Sequence, residues 1–381
     1  MKMKRYLILM TAATALLAAC SNDADNEGYE PSNMAIAFEA NEEGSATRAP
    51  GMIVDTEGLK ALRQGFGVFG SYTGRLTYEN TTVSPDFMYN QQITWANNAW
   101  AYSPVKYWPN DNRDYVSFFA YAPYEASPRD DGQRCIIDMS KRYDLGDPWI
   151  NYRLAENPWS TTNPQVDLLY GQHEMSNNYT SWLDQQKPND PTNYKVLFTF
   201  RHALACIGDE ITIKCSPELA NLITGYATIT ISQVTINYKN LTTKARLVLN
   251  SIGSANWKEI ISGELTSTRT YIKDLVNNPI TFDSNNFTTE QTISTGDGLL
   301  YIPLRIAGTD AAQAEVTITY TVTNNAGKSY TGTGTTTFDL DMNLEGRKQG
   351  IALQLTKNLD LQHLVYTIGR GAIGPSYSRK R

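Results

Sequence analysis

Hydrophobic and polar residues alternate along much of the second half of the chain. Between Val316 and Val322 the even-numbered positions are apolar and the odd-numbered positions are threonine. A period of two is typical of a half-buried antiparallel strand. Residues 324–328 then supply turn-forming residues before a second threonine-rich run that ends at Phe338. The pattern therefore predicts a β-hairpin over this part of the chain.

The same alternation, or a short apolar run, predicts strands elsewhere. These strands fall at residues 65–72, 115–121, 166–170, 195–201, 227–236 and 351–355. The run at 227–236 contains one break in register near Ser232. Helical periodicity is scarce, and a single short helix is predicted at residues 56–64. With 23 Tyr, 11 Phe and 7 Trp, the composition also favours strands.

These elements predict an all-β fold of two β-sandwich domains. The 381 residues are enough for two ordinary domains, and a polar, loop-like stretch at 171–193 separates the two groups of strands. The predicted organisation is a signal peptide at 1–19, a tether and propeptide at 20–48, an N-terminal sandwich at 49–193 and a C-terminal sandwich at 194–381.

The N-terminus has the layout of an export signal. Basic residues within the first five positions precede an apolar stretch at 7–19 that is too short to span a bilayer comfortably. The stretch ends in small residues before Cys20 and resembles the bacterial lipobox, whose cysteine receives a lipid. We therefore predict that Cys20 is lipidated. The alternative is an ordinary secretory signal in which the cysteine is incidental. The acidic residues that follow resemble the export signal of surface lipoproteins of Bacteroidetes.

The propeptide region combines a short apolar patch with an exposed arginine. Residues 34–38 alternate and could form a strand. The following residues, 41–50, are rich in polar residues, Gly and Pro, so the segment should be extended and exposed. An extended, exposed arginine is a good target for an Arg-specific protease. The predicted scissile bond joins Arg48 and Ala49.

Charge and motif content argue against several function classes. The net charge is −6 and no basic cluster occurs before the extreme C-terminus, so nucleic-acid binding is not expected. Residues 65–70 match the glycine pattern of dinucleotide sites but lack the preceding strand and the following helix. The spacing of His202, Cys206 and Cys215 matches no zinc pattern. We predict no enzyme, metal or cofactor, although a glycosidase carboxylate pair stays open because carboxylates are many.

Cysteines and tryptophans allow two interpretations each. If Cys20 is lipidated, three cysteines remain: Cys135, Cys206 and Cys215. Three cysteines permit one disulfide at most, so we expect them to be buried as small apolar residues. The first half also contains a set of tryptophans that could stack on sugar rings or fill a core, and the core is favoured: Trp95, Trp100, Trp108, Trp149, Trp159 and Trp182.

Several segments, in this order, resemble landmarks of the fimbrillin (Mfa-like) family of Bacteroidales. The main ones are 100–109, 116–124, 166–169, 198–204 and 301–303. The resemblance implies transthyretin-like sandwich domains and export to the cell surface as a lipoprotein. It also implies cleavage after an arginine that maps to Arg48. In the family, cleavage removes the lipid and a first strand, here residues 34–38, and a strand from another subunit fills the groove.

The chain departs from the family pattern at its C-terminus, since family members commonly end soon after the position of Leu355. We predict that residues 359–368 form the donor strand of a polymerising subunit, because apolar residues recur on a flexible end. Its apolar residues are Leu359, Leu361, Leu364, Val365, Tyr366 and Ile368. The alternative is a last strand of the C-terminal sandwich followed by a frayed tail.

The predicted function is that of a structural subunit of a surface pilus that supports adhesion. The expected partners are copies of itself or related pilus subunits, outer-membrane lipid through Cys20 before processing, and ligands on host or microbial surfaces. Three alternatives stay open: a tip adhesin, an anchor subunit that is never cut, and a surface glycan-binding lipoprotein. The expected location is the outer membrane, and the fimbrium after processing.

Overall fold

The structure, a computed structural model, describes residues 28–42, 55–172, 183–189, 194–251, 254–259, 266–294, 296, 298–343, 346 and 348–364. Its strands form five sheets, which confirms the all-β prediction. Helix is limited in the described residues to α1 (Thr56–Ala61), α2 (Pro217–Ile223) and a 3-10 turn at Tyr78–Asn80. The Asp55 side chain caps α1 by accepting a hydrogen bond from the backbone N–H of Gly58 at 2.7 Å.

The largest sheet is built mainly from the N-terminal half. In order across the sheet its strands are β2 (Phe38–Glu42), β12 (Val196–His202), β10 (Leu169–Gln172), β7 (Tyr115–Ala122), β3 (Phe66–Gly74), β4 (Met88–Ala96) and β5 (Ala99–Ala101). β11 (Asp184–Gln186) also pairs with β7. A two-stranded sheet of β1 (Pro31–Ala35) and β6 (Tyr107–Pro109) accompanies it.

Two sheets lie in the C-terminal half. One contains β19 (Gln291–Ser294), β13 (Ala205–Cys215), β23 (Lys348–Leu355) and β24 (Leu361–Leu364), with β20 (Leu299–Tyr301) also paired to β13. The other contains β17 (Thr266–Asp274), β14 (Ala227–Thr242), β21 (Gln313–Asn324) and β22 (Ser329–Asp339), with β18 (Ile280–Phe282) also paired to β14. Among the described strands, only β2 with β12 and β13 with β23 run parallel.

The hairpin predicted from alternation is β21–β22, and the register break predicted near Ser232 is a shift between Ile231 and Gln233 where β14 pairs with β21. The apolar residues of β21 are buried up to Tyr320, while the threonines face outward and pair across the hairpin. The alternation therefore reflects one face on the core and one face in solvent.

The fifth sheet joins the two halves of the chain. It consists of β16 (Asn256–Lys258), β15 (Lys244–Val248), β9 (Trp149–Arg153) and β8 (Ile136–Met139). β12 also begins after residue 194 yet pairs with β10 and β2 of the N-terminal half. One buried cluster runs across both halves, from Phe69 to Leu361. A second combines residues of the N-terminal half with Val196, Phe198 and Phe200 of β12. The boundary at 193/194 stays a prediction, and two sheets extend across it.

Candidate functional site

The N-terminal segment crosses from one sheet to another. β1 pairs with β6, and the backbone N–H of Ile36 donates to the Lys106 carbonyl at 2.9 Å. The chain then turns, and the Ala37 carbonyl accepts a hydrogen bond from Val196 at 2.8 Å as β2 begins beside β12. The strand predicted at 34–38 thus falls on the link between two strands. The segment 28–42, called here the N-terminal strap, holds two sheets together.

β2 is the edge strand of the large sheet. It pairs in parallel with β12, with Phe38 opposite Val196 and Glu42 opposite Phe200. No described strand pairs with its other side. If the strap left, the edge of β12 would present unpaired backbone N–H and C=O groups beside an apolar trough, which is a template for another strand.

The inner face of the strap is buried in the N-terminal core. Ile36, Phe38 and Ala40 are each at most 2% exposed. The Phe38 ring lies 5.5 Å from that of Phe118 and 5.7 Å from that of Phe198, between ring centroids. Burying Ile36 and Phe38 stabilises the fold by roughly 1.5–3 kcal/mol each before ordering costs. A vacant groove is therefore unfavourable and needs a replacement occupant.

The outer face of β2 has a different character. The Lys195 ammonium donates to the Glu39 carboxylate at 2.7 Å, and both side chains are more than a third exposed. An exposed ion pair of this kind contributes little to stability. The strap is therefore held by its inner face and its backbone hydrogen bonds.

A buried ionic cluster lies at the end of the strap. His202 Nε2 is 3.0 Å from Glu42 Oε1, and Nδ1 is 2.7 Å from Asp167 Oδ2. The Nε2 contact is an ion pair that is not aligned as a hydrogen bond, whereas the Nδ1 contact is a hydrogen bond. Burial opposes the charge on His202, but the carboxylates of Asp167 and Glu42 outweigh it and raise the pKa of the imidazole to about 10. The ring is therefore protonated at neutral pH.

The strap leaves the groove beside the start of helix α1. The backbone N–H of Glu42 donates to Thr56 Oγ1 at 3.0 Å. The described residues on the two sides of the stretch 43–54 are therefore in contact with each other. Residues 43–54, with the predicted scissile bond between Arg48 and Ala49, lie outside the described residues, as does Cys20. Both predictions stay predictions.

A sequence profile described as fimbrillin-like matches residues 47–368. The chain belongs to the fimbrillin-like family. This match confirms the family resemblance that was inferred from the order of the sequence landmarks.

Two relatives of this fimbrillin-like chain stand out. It is 30% identical over 215 residues to the fimbrium subunit Fim1C of Phocaeicola vulgatus, covering 56% of this chain and 52% of that protein. The chain thus matches about half of that relative's length. A fimbrial protein from Bacteroides vulgatus, known from a crystal structure, superposes with a TM-score of 0.62 at 21% identity, over 88% of this chain and 99% of the other. That likeness shows the fold.

The predicted donor strand of the fimbrillin-like chain divides at Leu364. Residues 361–364 form β24, which pairs with β23, and Leu361 is 4% exposed. The His363 ring stacks on Phe338 with centroids 3.6 Å apart. In this state β24 is a strand of the chain's own sheet, and Leu359 lies in the turn before it. Val365, Tyr366 and Ile368 lie outside the described residues.

The glycine pattern at 65–70 has a structural explanation in the fimbrillin-like fold. All of it except Gly65 lies in strand β3, where a Cβ on Gly67 would lie 2.2 Å from the Tyr121 ring and a Cβ on Gly70 would lie 3.1 Å from Met88 Cβ. A side chain at Gly67 would therefore collide with the Tyr121 ring of the neighbouring strand, and one at Gly70 would be tight against Met88. The glycines serve packing between strands.

The three remaining cysteines lie in the interior. Cys135, Cys206 and Cys215 are free and buried, and burial raises the pKa of each thiol. No group of three or more His, Cys, Asp or Glu side chains suited to a metal occurs in the described residues. Trp100 and Trp108 are buried, Trp95, Trp149 and Trp159 are half-buried, and Trp182 lies outside the described residues. No described helix has the length and hydrophobicity to cross a bilayer.

Proposed function

We propose that this chain is a structural subunit of a cell-surface fimbria. It is exported as a lipoprotein through Cys20, cut after Arg48, and joined to a neighbouring subunit by a β-strand that takes the place of the N-terminal strap. The partners are copies of this chain or related subunits, and the location is the outer membrane before processing and the fimbrium afterwards. The name of the Fim1C relative supports assembly into fimbriae.

One observation carries the proposal. Within the strap, β2 is an edge strand with a buried inner face, and the whole strap precedes Arg48 in the sequence. A cut at Arg48 would convert this strand from part of the chain into a ligand that can dissociate. An incoming strand then satisfies the same backbone groups and the same trough, as in donor-strand complementation.

The donor segment lies beyond Leu364 in this proposal. Residues 361–364 already pair with β23, so donating them would cost the burial of Leu361 and four paired positions. Residues 365–381 can be donated while β24 stays in place. Of the donor strand predicted from the sequence, residues 359–368, only residues 365–368 remain available for donation. The donor segment proposed here consists of these residues and the tail at 369–381.

We expect that deleting residues 365–381 abolishes polymer formation and leaves the free energy of unfolding within about 0.5 kcal/mol of the full chain, because no described contact is lost. The measurement is an unheated denaturing gel after Arg-specific proteolysis, with urea unfolding of the same samples. Deleting 357–381 is the matched comparison, and it should also destabilise the monomer because Leu361 is removed from β23. Polymers that persist without residues 365–381 would contradict this donor assignment.

A further inference from the structure

Three ionisable side chains meet inside the protein where the groove ends. Glu42 belongs to the strap, His202 ends β12, and Asp167 precedes β10. The side chains of Glu42 and Asp167 are fully buried, and that of His202 is 4% exposed. Buried charges are costly unless they are paired, so each partner here matters to the others.

The two carboxylates have different roles. Asp167 accepts the Nδ1–H hydrogen bond at 2.7 Å and so fixes the orientation of the imidazole ring. Nε2 then faces Glu42, which lies 3.0 Å away. Asp167 and His202 stay with the body of the protein when the strap leaves, whereas Glu42 departs. The emptied groove therefore keeps an imidazole ring, held in place by Asp167, whose Nε2 has lost its carboxylate.

We propose that His202, positioned by Asp167, is the residue with which the groove recognises the strap itself, through the acidic side chain of Glu42. The inference rests on the proposed strand replacement. The groove then prefers the strap, which presents Phe38, Ala40 and Glu42 at alternate positions, over any strand that lacks the acid. The proposed donor, residues 365–381, contains no Asp or Glu, so it enters the groove only after a cut at Arg48 has freed the strap.

The subsite also fixes the register of the occupant. Side chains of a strand alternate between faces, so a slip of one residue would put Asn41 on the inner face. A slip of two residues would put Ala40 opposite His202 and leave the buried imidazolium without its carboxylate. A single charged position in an apolar groove thus penalises every misaligned strand, a role for which buried polar groups are well attested.

Peptide exchange tests the proposal on the full mature chain, starting at Ser21 and cut after Arg48. The probes are fluorescent peptides of residues 28–45 with the native sequence, Glu42→Gln, Glu42→Ala and Glu39→Gln, and the readout is the dissociation constant from anisotropy at pH 7. Glu39 is the matched control, because it is an acid on the same strand but on the outer face. We expect Glu42→Ala to bind about 100-fold more weakly than the native peptide, and Glu39→Gln to bind within about twofold.

A protein variant links the effect to the imidazole. In His202→Gln, the preference for the native peptide over Glu42→Ala should shrink to a few-fold. If that variant does not fold, the peptide series on the native groove still decides. Equal binding of the native and Glu42→Ala peptides would overturn the role of His202 while leaving strand replacement intact. Failure of every peptide to bind would overturn both.

Discussion

Replacing Phe38 with alanine should lower the free energy of unfolding of the uncleaved chain by about 3–5 kcal/mol. Phe38 is 2% exposed and packs against Phe118 and Phe198, so truncation leaves a cavity in the N-terminal core. Urea unfolding measures the change. The control is Glu39→Ala, one residue further along and on the outer face, which should change stability by less than about 0.5 kcal/mol.

The same substitution gives a second result after processing. Once another strand fills the groove, Phe38 is no longer part of the folded unit, so polymers made from Phe38→Ala and native protein should be equally stable. Equal effects of the Phe38 and Glu39 substitutions in the uncleaved chain would contradict the packing described here. A Phe38 effect that persists in the polymer would show that the strap stays in its groove.

Replacing His202 with alanine should cost a similar amount, about 3–5 kcal/mol at pH 7, because two buried carboxylates lose the cation between them. The variant should therefore unfold at a markedly lower urea concentration. Lys195→Ala is the matched control, since it breaks an exposed ion pair between the same two strands. That control should lie within about 1 kcal/mol of the native protein. Similar midpoints for the two variants would contradict the buried pairing.

The pH dependence of the His202 variant provides an independent check. The folded-state pKa, about 10, lies above the ordinary value of 6.5, so protonation stabilises the folded state. This stabilisation is complete below about pH 6.5 and disappears as the pH rises through about 10. The gap in stability between native protein and His202→Ala should therefore narrow steadily over that interval. A constant gap across the interval would show that the charge on His202 is not involved.

The strand content could be predicted from the sequence because most strands have one buried face. The hairpin β21–β22 and the break at Ser232 follow from local alternation and turn residues alone. Pairings between distant segments could not be predicted in the same way. β2 lies beside β12 although more than 150 residues separate them, and the parallel direction of this pair leaves no mark on local periodicity.

The ionic cluster was missed for a related reason. Sequence spacing relates His202 to Cys206 and Cys215, its neighbours along the chain, and not to Glu42 or Asp167. A signal was nevertheless present, because His202 continues the alternating buried positions of β12 after Phe200. Glu42 likewise falls in phase with the buried positions of β2. A charged residue in phase with a buried face indicates a buried partner, but the sequence does not say which one.

The C-terminal segment shows the limit of periodicity as evidence for function. The apolar residues that alternate from position 359 onward fit two roles equally well. They could form a strand donated to another subunit or a strand retained in the chain's own sheet. Leu361 and its neighbours are retained, because β23 offers a free edge close by in the same chain. Short-range pairing within the chain requires less ordering than pairing between chains, so it is favoured where both are available.

Limited cleavage of the lipid-free chain beginning at Ser21, followed by an unheated denaturing gel and N-terminal sequencing, examines strand replacement most directly. We expect a heat-sensitive ladder whose subunits begin at Ala49, because only replacement of the strap gives assemblies that survive detergent and dissociate on heating. Cleavage at Arg48 without a ladder, or a ladder whose subunits still retain residues 28–42, would contradict strand replacement. The former outcome would instead favour a tip subunit, and resistance to cleavage would favour an anchor or a ligand-binding lipoprotein.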